Sequence, residues 1–135
     1  MINSTIIRYL ISSLFLLTGA YFMIWSNVFL FKIGKGGPAN GFGISISPQT
    51  KKLVTVGPYK YSRNPMVFGA FSLYISMVIF LNSIIGLITL LISLLIAFGY
   101  LKLSEEQRLL TDFGDDYVEY KRKVSMVFPM KRFRK

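Results

Sequence analysis

Residues 66–101 read MVFGAFSLYISMVIFLNSIIGLITLLISLLIAFGYL and contain no charged side chain at any position. One membrane span needs about 20 apolar residues, so this run is too long for one span and suits two short ones. A polar Asn-Ser pair at 82–83 interrupts it near the middle. Polar pairs of this kind mark turns between periodic segments. The stretch therefore predicts a tight helical hairpin with spans near 65–81 and 84–101.

The start of the hairpin carries its own local signal. Pro65 suits the first turn of a helix, where the missing N–H is not needed for an intrahelical hydrogen bond. Asn64 directly precedes it and is a residue type that caps helix N-termini well. The Asn-Pro pair therefore predicts a helix that begins at residue 65.

An earlier apolar stretch predicts another membrane span. Residues 9–31 are uncharged, and Lys32 and Lys35 follow. At 1.5 Å per residue such a helix covers a hydrocarbon core of about 30 Å. The apolar run is longer than the roughly 7–15 residues of a signal-peptide core. We therefore expect this segment to stay in the membrane.

Behind the hairpin, the sequence becomes amphipathic. All six acidic residues lie between Glu105 and Glu119. Apolar side chains recur at helical spacing and predict that the last span continues beyond the membrane surface; they are Leu103, Leu109, Leu110 and Phe113. Gly114 is a plausible helix stop. A second amphipathic helix is predicted from Asp115 or Asp116, and three residues share one of its sides: Tyr117, Tyr120 and Val124.

The charges predict how the chain is oriented. The net charge is +10, with 16 Lys and Arg against 6 Asp and Glu. The basic residues flank apolar spans, which favours membrane anchoring over nucleic-acid binding. The connector 32–64 has basic residues and no acidic one, and the tail 102–135 is also net positive. By the positive-inside rule both should be cytoplasmic, with the amino terminus outside. Residues 1–135 are thus predicted to be one all-α integral membrane domain.

The chain contains no cysteine and no histidine. Disulfides, thiol nucleophiles, structural zinc sites and histidine acid–base chemistry are therefore excluded. We expect no metal site. Hydrolytic chemistry that depends on these groups is disfavoured for the same reason.

Two polar clusters flank the hairpin, and a hairpin returns its two ends to the same side of the membrane. The first cluster comprises Tyr59, Tyr61, Arg63 and Asn64, and the second is the pair at 105–106. Carboxylates accept from ammonium groups and hydroxyls, and aromatic faces attract cations such as a sulfonium. An interfacial aromatic belt beside a solvated helix face explains the same residues equally well. Residue chemistry leaves both interpretations open.

Two sequence blocks resemble a known superfamily. They are KKLVTVGPYKYSRNPMVFG and EEQRLLTDFGDDYVEYKRKV, the second followed by a proline. They resemble, in order and spacing around a hairpin, the isoprenylcysteine carboxyl methyltransferase and phospholipid methyltransferase superfamily. The resemblance covers about residues 51–129. It implies an integral membrane methyltransferase that uses S-adenosylmethionine.

The resemblance also implies a cofactor site, with no catalytic residue assigned. Family contacts carried over to this sequence, together with Gly57 and Arg63 from the same stretch, give the predicted cofactor-binding residues: Leu53, Val54, Gly57, Tyr59, Arg63, Asn64, Pro65 and Glu105. Glu106 is expected to contribute less, because adjacent helical residues point about 100° apart.

Four positions depart from the family pattern, one of them Lys51, where the family has a polar residue that is often His. Asn64 stands where the family usually has His, which retains hydrogen bonding but cannot titrate. Val67 replaces a Tyr, and Leu101 replaces an Arg on the substrate side. A prenylcysteine carboxylate is therefore a less suitable substrate, because it would require that cation.

The sequence thus predicts a methyltransferase that modifies a lipid-like or amphiphilic acceptor at the cytoplasmic membrane face. Methyl transfer from a sulfonium needs alignment and desolvation more than a strong nucleophile, so the missing His and Cys are no obstacle. The alternative is a non-catalytic membrane binding or assembly protein that retains the fold.

Overall fold

The computed structural model describes residues 2–33 and 53–129. Residues 34–52 of the predicted connector 32–64, and the tail from residue 130, lie outside the described residues. Within those residues the secondary structure is helical, and the prediction of an all-α protein is confirmed.

The helices follow the sequence signals closely. In chain order they are α1 (Thr5–Lys32), α2 (Pro65–Leu81), α3 (Ile84–Tyr100), α4 (Glu106–Phe113) and α5 (Asp115–Lys123). A 3₁₀ turn, Gly57–Lys60, precedes α2. A π-turn, Leu101–Glu105, joins α3 to α4. The helix beginning at Ile84 therefore runs without interruption to Phe113.

Two helices are long and apolar enough to cross a membrane, namely Thr5–Lys32 and Ile84–Phe113. The helix between them, Pro65–Leu81, is also apolar but shorter, with 17 residues. The predicted spans near 9–31, 65–81 and 84–101 coincide with α1, α2 and α3. The architecture is that of an all-α membrane protein.

The turn between α2 and α3 lies at the polar pair predicted from the sequence. Asn82 ends α2 in the left-handed conformation, at φ +52°, which asparagine tolerates better than most residues. Ser83 then caps α3, because its hydroxyl accepts a hydrogen bond from the Gly86 N–H at 3.1 Å. Two residues thus end one helix and begin the next, and the hairpin is confirmed.

Small residues close the interface between α1 and α2. A Cβ built on Gly19 would lie 2.8 Å from the Gly69 carbonyl oxygen, and one on Gly69 would lie 2.9 Å from the Gly19 carbonyl oxygen. Farther along, the Ser12 hydroxyl donates to the Ser76 carbonyl at 3.0 Å, and the Ser76 hydroxyl donates to the Ser12 carbonyl at 2.8 Å. We call this antiparallel contact the α1–α2 seam. It brings two backbones together as small-residue membrane interfaces do.

The third helix packs differently. Leu90 is the one buried residue of α3, and most of its other apolar side chains are exposed. A hydroxyl contact of 2.6 Å between Tyr74 and Thr89 links it to α2. The exposed apolar surface of α3 matches lipid as its environment.

Close packing also fixes the segment before α2 against the end of α1. Gly57 has φ +63°, and a Cβ there would lie 2.6 Å from the Phe29 ring. Glycine is therefore required both by conformation and by space. Leu30, Val54 and Tyr59 form a buried cluster at this contact.

After the hairpin, Gly114 ends α4 with φ +54°, as predicted. The chain changes direction there and continues as α5. Its Tyr117 and Tyr120 form a second buried cluster with Val124. Leu53 packs against this cluster from the segment before α2. The sequence prediction that these α5 residues share one side is confirmed.

Candidate functional site

The two polar blocks of the sequence meet beside the head of α2. We call residues 53–64 the pre-hairpin segment, and residues 124–128, directly after α5, the strap. Ser62 and Ser125 pair as an isolated parallel β-bridge. α5 and the strap together form what we call the cap, which lies against the pre-hairpin segment.

Consecutive residues of the pre-hairpin segment hold the strap by hydrogen bonds. The Arg63 N–H donates to the Ser125 carbonyl at 2.9 Å. The Ser62 hydroxyl donates to the Val127 carbonyl at 2.6 Å, and the Asn64 amide donates to the Met126 carbonyl at 2.8 Å. The strap is thus bound mainly through its backbone carbonyls, and one of its side chains adds a contact, since the Ser125 hydroxyl donates to the Tyr61 carbonyl at 3.4 Å.

An ionic cluster joins three parts of the chain. The Arg63 guanidinium contacts the Glu106 carboxylate, and both side chains are only 5% exposed. Lys121 of α5 reaches the other carboxylate oxygen at 2.7 Å. Arg63 also donates to the Tyr117 hydroxyl at 3.3 Å. We call these four residues the charge junction. Two cations surround one carboxylate, so the junction has a net charge of +1.

One atom of the junction lacks a partner. The Arg63 Nε is buried without a hydrogen-bond acceptor among the described residues. A buried donor left unsatisfied costs roughly 1–3 kcal/mol. An oxygen acceptor brought by a bound molecule would remove that cost.

The buried tyrosines act as neutral hydrogen-bonding groups. The Tyr120 hydroxyl donates to the Tyr59 carbonyl at 2.6 Å. Burial raises the pKa of both Tyr59 and Tyr120 above the usual tyrosine value. Burial also raises the pKa of Tyr117, although the hydrogen bond from Arg63 opposes that shift. All three phenols therefore stay protonated near neutral pH, and none is suited to act as a base.

The two adjacent glutamates have different surroundings from those expected. Glu106, which was expected to contribute less to cofactor binding than Glu105, is the buried carboxylate of the charge junction. Glu105 instead accepts from Arg108 at 3.1 Å on its own helical face. Both glutamates have ordinary helical dihedrals, so their side chains still point about 100° apart, and Glu106 is the one that faces Arg63.

Asn64 also behaves differently from the sequence expectation. It precedes α2 as predicted, but its side chain makes no capping hydrogen bond. Its amide is used for the strap, at Met126. The expectation of a side-chain cap was wrong: the contact with Met126, distant in sequence, orients the amide, and its oxygen accepts no N–H of the first turn.

The predicted cofactor residues before α2 lie together at the head of that helix. Val54 and Tyr59 pack towards α1, whereas Leu53 packs towards α5. Pro65 is fully buried at the start of α2. Glu105 follows α3 at the end of the π-turn, next to Glu106 of the charge junction.

Sequence reasoning missed Lys121 and the carbonyls of the strap. The sequence predicted that Tyr117 and Tyr120 lie on one side of a helix, but it did not predict which residues they contact. A buried arginine requires an anion, so Arg63 was the signal that a carboxylate of the second block lies against it. Nothing in the sequence indicated which one.

The family model described as "Phospholipid methyltransferase" matches residues 7–116. The match covers most of the chain, so the protein belongs to the phospholipid methyltransferase family. It includes α1, the pre-hairpin segment and the helical hairpin. No match was found among the curated proteins or among the solved structures.

Proposed function

We propose that this member of the phospholipid methyltransferase family transfers a methyl group from S-adenosylmethionine to a lipid-like or amphiphilic acceptor at the cytoplasmic membrane face. The family makes the chain a membrane methyltransferase. The observation that carries the finer proposal is the charge junction, in which Arg63 and Glu106 join the two sequence blocks. A polar, largely buried site is thereby built at the end of a membrane hairpin.

The residues present fit a donor of this chemistry. The Arg63 Nε–H lacks an acceptor among the described residues, and a carboxylate or hydroxyl oxygen of the donor would supply one. Glu105 offers a carboxylate for an ammonium or a ribose hydroxyl. Apolar contacts come from Leu53, Val54 and Tyr59. Together with Gly57, Asn64 and Pro65, these are the residues that we propose hold the donor.

When bound, S-adenosylmethionine supplies an electrophilic methyl group and its own leaving group. The protein then has to align the acceptor and keep water out. The neutral phenols of Tyr59 and Tyr120 stabilise the wall of the site without competing as nucleophiles. Alignment of this kind accounts for a large part of many enzymatic rate enhancements.

We infer the chemical class of the acceptor from the residues that surround the end of the hairpin. Leu101 is buried, so the position where the superfamily pattern has an arginine carries no charge. Lys102 is exposed instead. Exposed apolar residues, among them Leu95 and Leu103, cover the adjacent helix surface. The apolar surface suits an acceptor with hydrocarbon chains, and the missing cation at residue 101 disfavours a prenylcysteine carboxylate.

Membrane orientation is part of the proposal. By the positive-inside rule, the basic residues beside the pre-hairpin segment and in the cap favour a cytoplasmic location for this end and an outside location for the amino terminus. In intact cells, a tag at the amino terminus should be labelled by an impermeant reagent, and one at the carboxy terminus should be protected. Labelling of both tags would contradict this orientation.

The direct test is methyl transfer in vesicles. Purified protein in phospholipid vesicles receives S-adenosylmethionine labelled in its methyl group, and the label is followed into the organic extract. We expect lipid-soluble label with phosphatidylethanolamine vesicles and much less with a prenylcysteine analogue. Donor binding without transfer to any acceptor would instead support the non-catalytic alternative.

A further inference from the structure

Lys121 occupies an unusual place among the basic residues of α5. It reaches out of its own helix to Glu106, which is already paired with Arg63. Its side chain is 39% exposed, whereas that of Glu106 is 5% exposed. The Lys121 link is therefore the part of the charge junction that water reaches first.

Three other contacts of the cap end on residues that we propose hold the methyl donor. Tyr120 donates to the carbonyl of Tyr59. The strap accepts from the backbone of Arg63 and from the side chain of Asn64. Movement of α5 would therefore disturb the walls of the donor site directly.

We propose that Lys121 is a positioning residue that holds α5 and the strap closed over the donor and so limits the rate at which the donor leaves. This inference rests on the proposed function. Arg63 and Glu106 are too deeply buried to separate without a large cost. The half-exposed Lys121 pair is weaker and can open and close. It is thus suited to control access while the buried pair stays intact.

The chain offers a matched control two residues away. Lys123 is also on α5 and also pairs with a glutamate, but its partner Glu119 lies on the same helix. Both side chains of that pair are well exposed, at 69% and 68%. Lys123→Met removes the same charge from the same helix without touching the charge junction.

The first measurement is the dissociation rate of labelled S-adenosylmethionine, chased with unlabelled donor, from protein in detergent. Loss of one ion pair of this strength should make Lys121→Met release the donor up to about fivefold faster than wild type. Lys121→Arg should restore the slow release, and Lys123→Met should match wild type. Equal release from Lys121→Met and Lys123→Met would overturn the inference.

The second measurement uses no donor and separates this inference from the proposed function. Hydrogen exchange at the Arg63 amide reports whether its hydrogen bond to Ser125 is formed. We expect faster exchange in Lys121→Met than in Lys123→Met. Exchange that is the same in both variants overturns the inference. If wild type binds no S-adenosylmethionine, the proposed function fails and the exchange comparison still decides the role of Lys121.

Discussion

The two ends of α2 are held by opposite kinds of chemistry. Along the α1–α2 seam the contacts are made by the smallest side chains, with Gly19 against Gly69 and Ser12 against Ser76. At the head of α2 they are made by large polar side chains, with Arg63 against Glu106. The same helix therefore packs closely against another backbone along its length and lies beside a cluster of charged and phenolic side chains at its head.

The difference follows from the solvent at each end. Within lipid there is little hydrophobic drive between helices, so close packing and interhelical hydrogen bonds stabilise the pair. At the membrane surface water can solvate the rim of an ionic cluster, which makes charges tolerable there. We infer that the seam mainly fixes the fold and that the head of α2 carries the function.

The largest expected effect breaks the seam. In Gly19→Leu the new side chain would collide with the backbone of Gly69, since even its Cβ would lie 2.8 Å from that carbonyl oxygen. Backbone atoms cannot move aside without separating the helices, so we expect loss of folded, monodisperse protein. Gly99→Leu on α3 is the control, because nothing lies within 4 Å of a Cβ there. Size-exclusion profiles in detergent compare the two, and similar damage from both would contradict the seam.

The next effect concerns the charge junction. Glu106→Ala leaves Arg63 buried beside no anion, which typically costs about 3–5 kcal/mol of the free energy of unfolding. Replacing both Arg63 and Glu106 by methionine should cost less than the two single substitutions summed, because no deeply buried charge is left unpaired and Lys121 is partly exposed to water. Melting temperatures in detergent test this relation. Additive losses would show that the pair is not coupled.

Some features of this structure could be predicted from the sequence, and others could not. The hairpin and the end of α4 were predictable because Pro65, Asn82 and Gly114 are local signals that act through their own backbone. The pairing of Glu106, rather than Glu105, with Arg63 was not predictable, since it depends on how the two sequence blocks pack against each other. The strap contact of Asn64 joins residues distant in sequence, and a local pattern contains no information about it.

The α1–α2 seam was missed for another reason. The prediction of the first span used only its length and its lack of charge, not the positions of its small residues. Yet its small residues Ser12, Gly19 and Ser26 are each seven residues from the next, and all three are buried. Such spacing keeps small residues on one face of a helix, so the signal was available in the sequence.

A smaller effect is expected where the strap meets the head of α2. In Asn64→Ser the side chain is too short to reach the Met126 carbonyl. One hydrogen bond is lost, which should lower the free energy of unfolding by about 0.5–1.5 kcal/mol. Asn64→Asp also lacks the donor and should cost at least as much. We expect both to lower the melting-temperature shift that S-adenosylmethionine produces, relative to wild type. An unchanged ligand-induced shift would limit Asn64 to holding the strap.

The smallest predicted effect returns to the seam. Ser12→Ala removes the hydroxyl that donates to the Ser76 carbonyl, without adding volume, and keeps the backbone carbonyl that accepts from the Ser76 hydroxyl. Side-chain hydrogen bonds between membrane helices average only about 0.6 kcal/mol. We therefore expect a melting temperature close to that of wild type and unchanged donor binding. A loss comparable to that of Glu106→Ala would show that hydroxyls, rather than close packing, hold the seam.

The central claim is that the head of the hairpin binds S-adenosylmethionine, and equilibrium binding of this donor to the purified protein tests it most directly. Wild type should bind, and Glu105→Gln should bind at least about tenfold more weakly, because a hydrogen bond to a charged group is worth roughly 1.5–3 kcal/mol. Glu119→Gln, which changes an exposed glutamate of α5, should bind as wild type does. Absence of binding by wild type, or equal affinity for all three proteins, would contradict the claim.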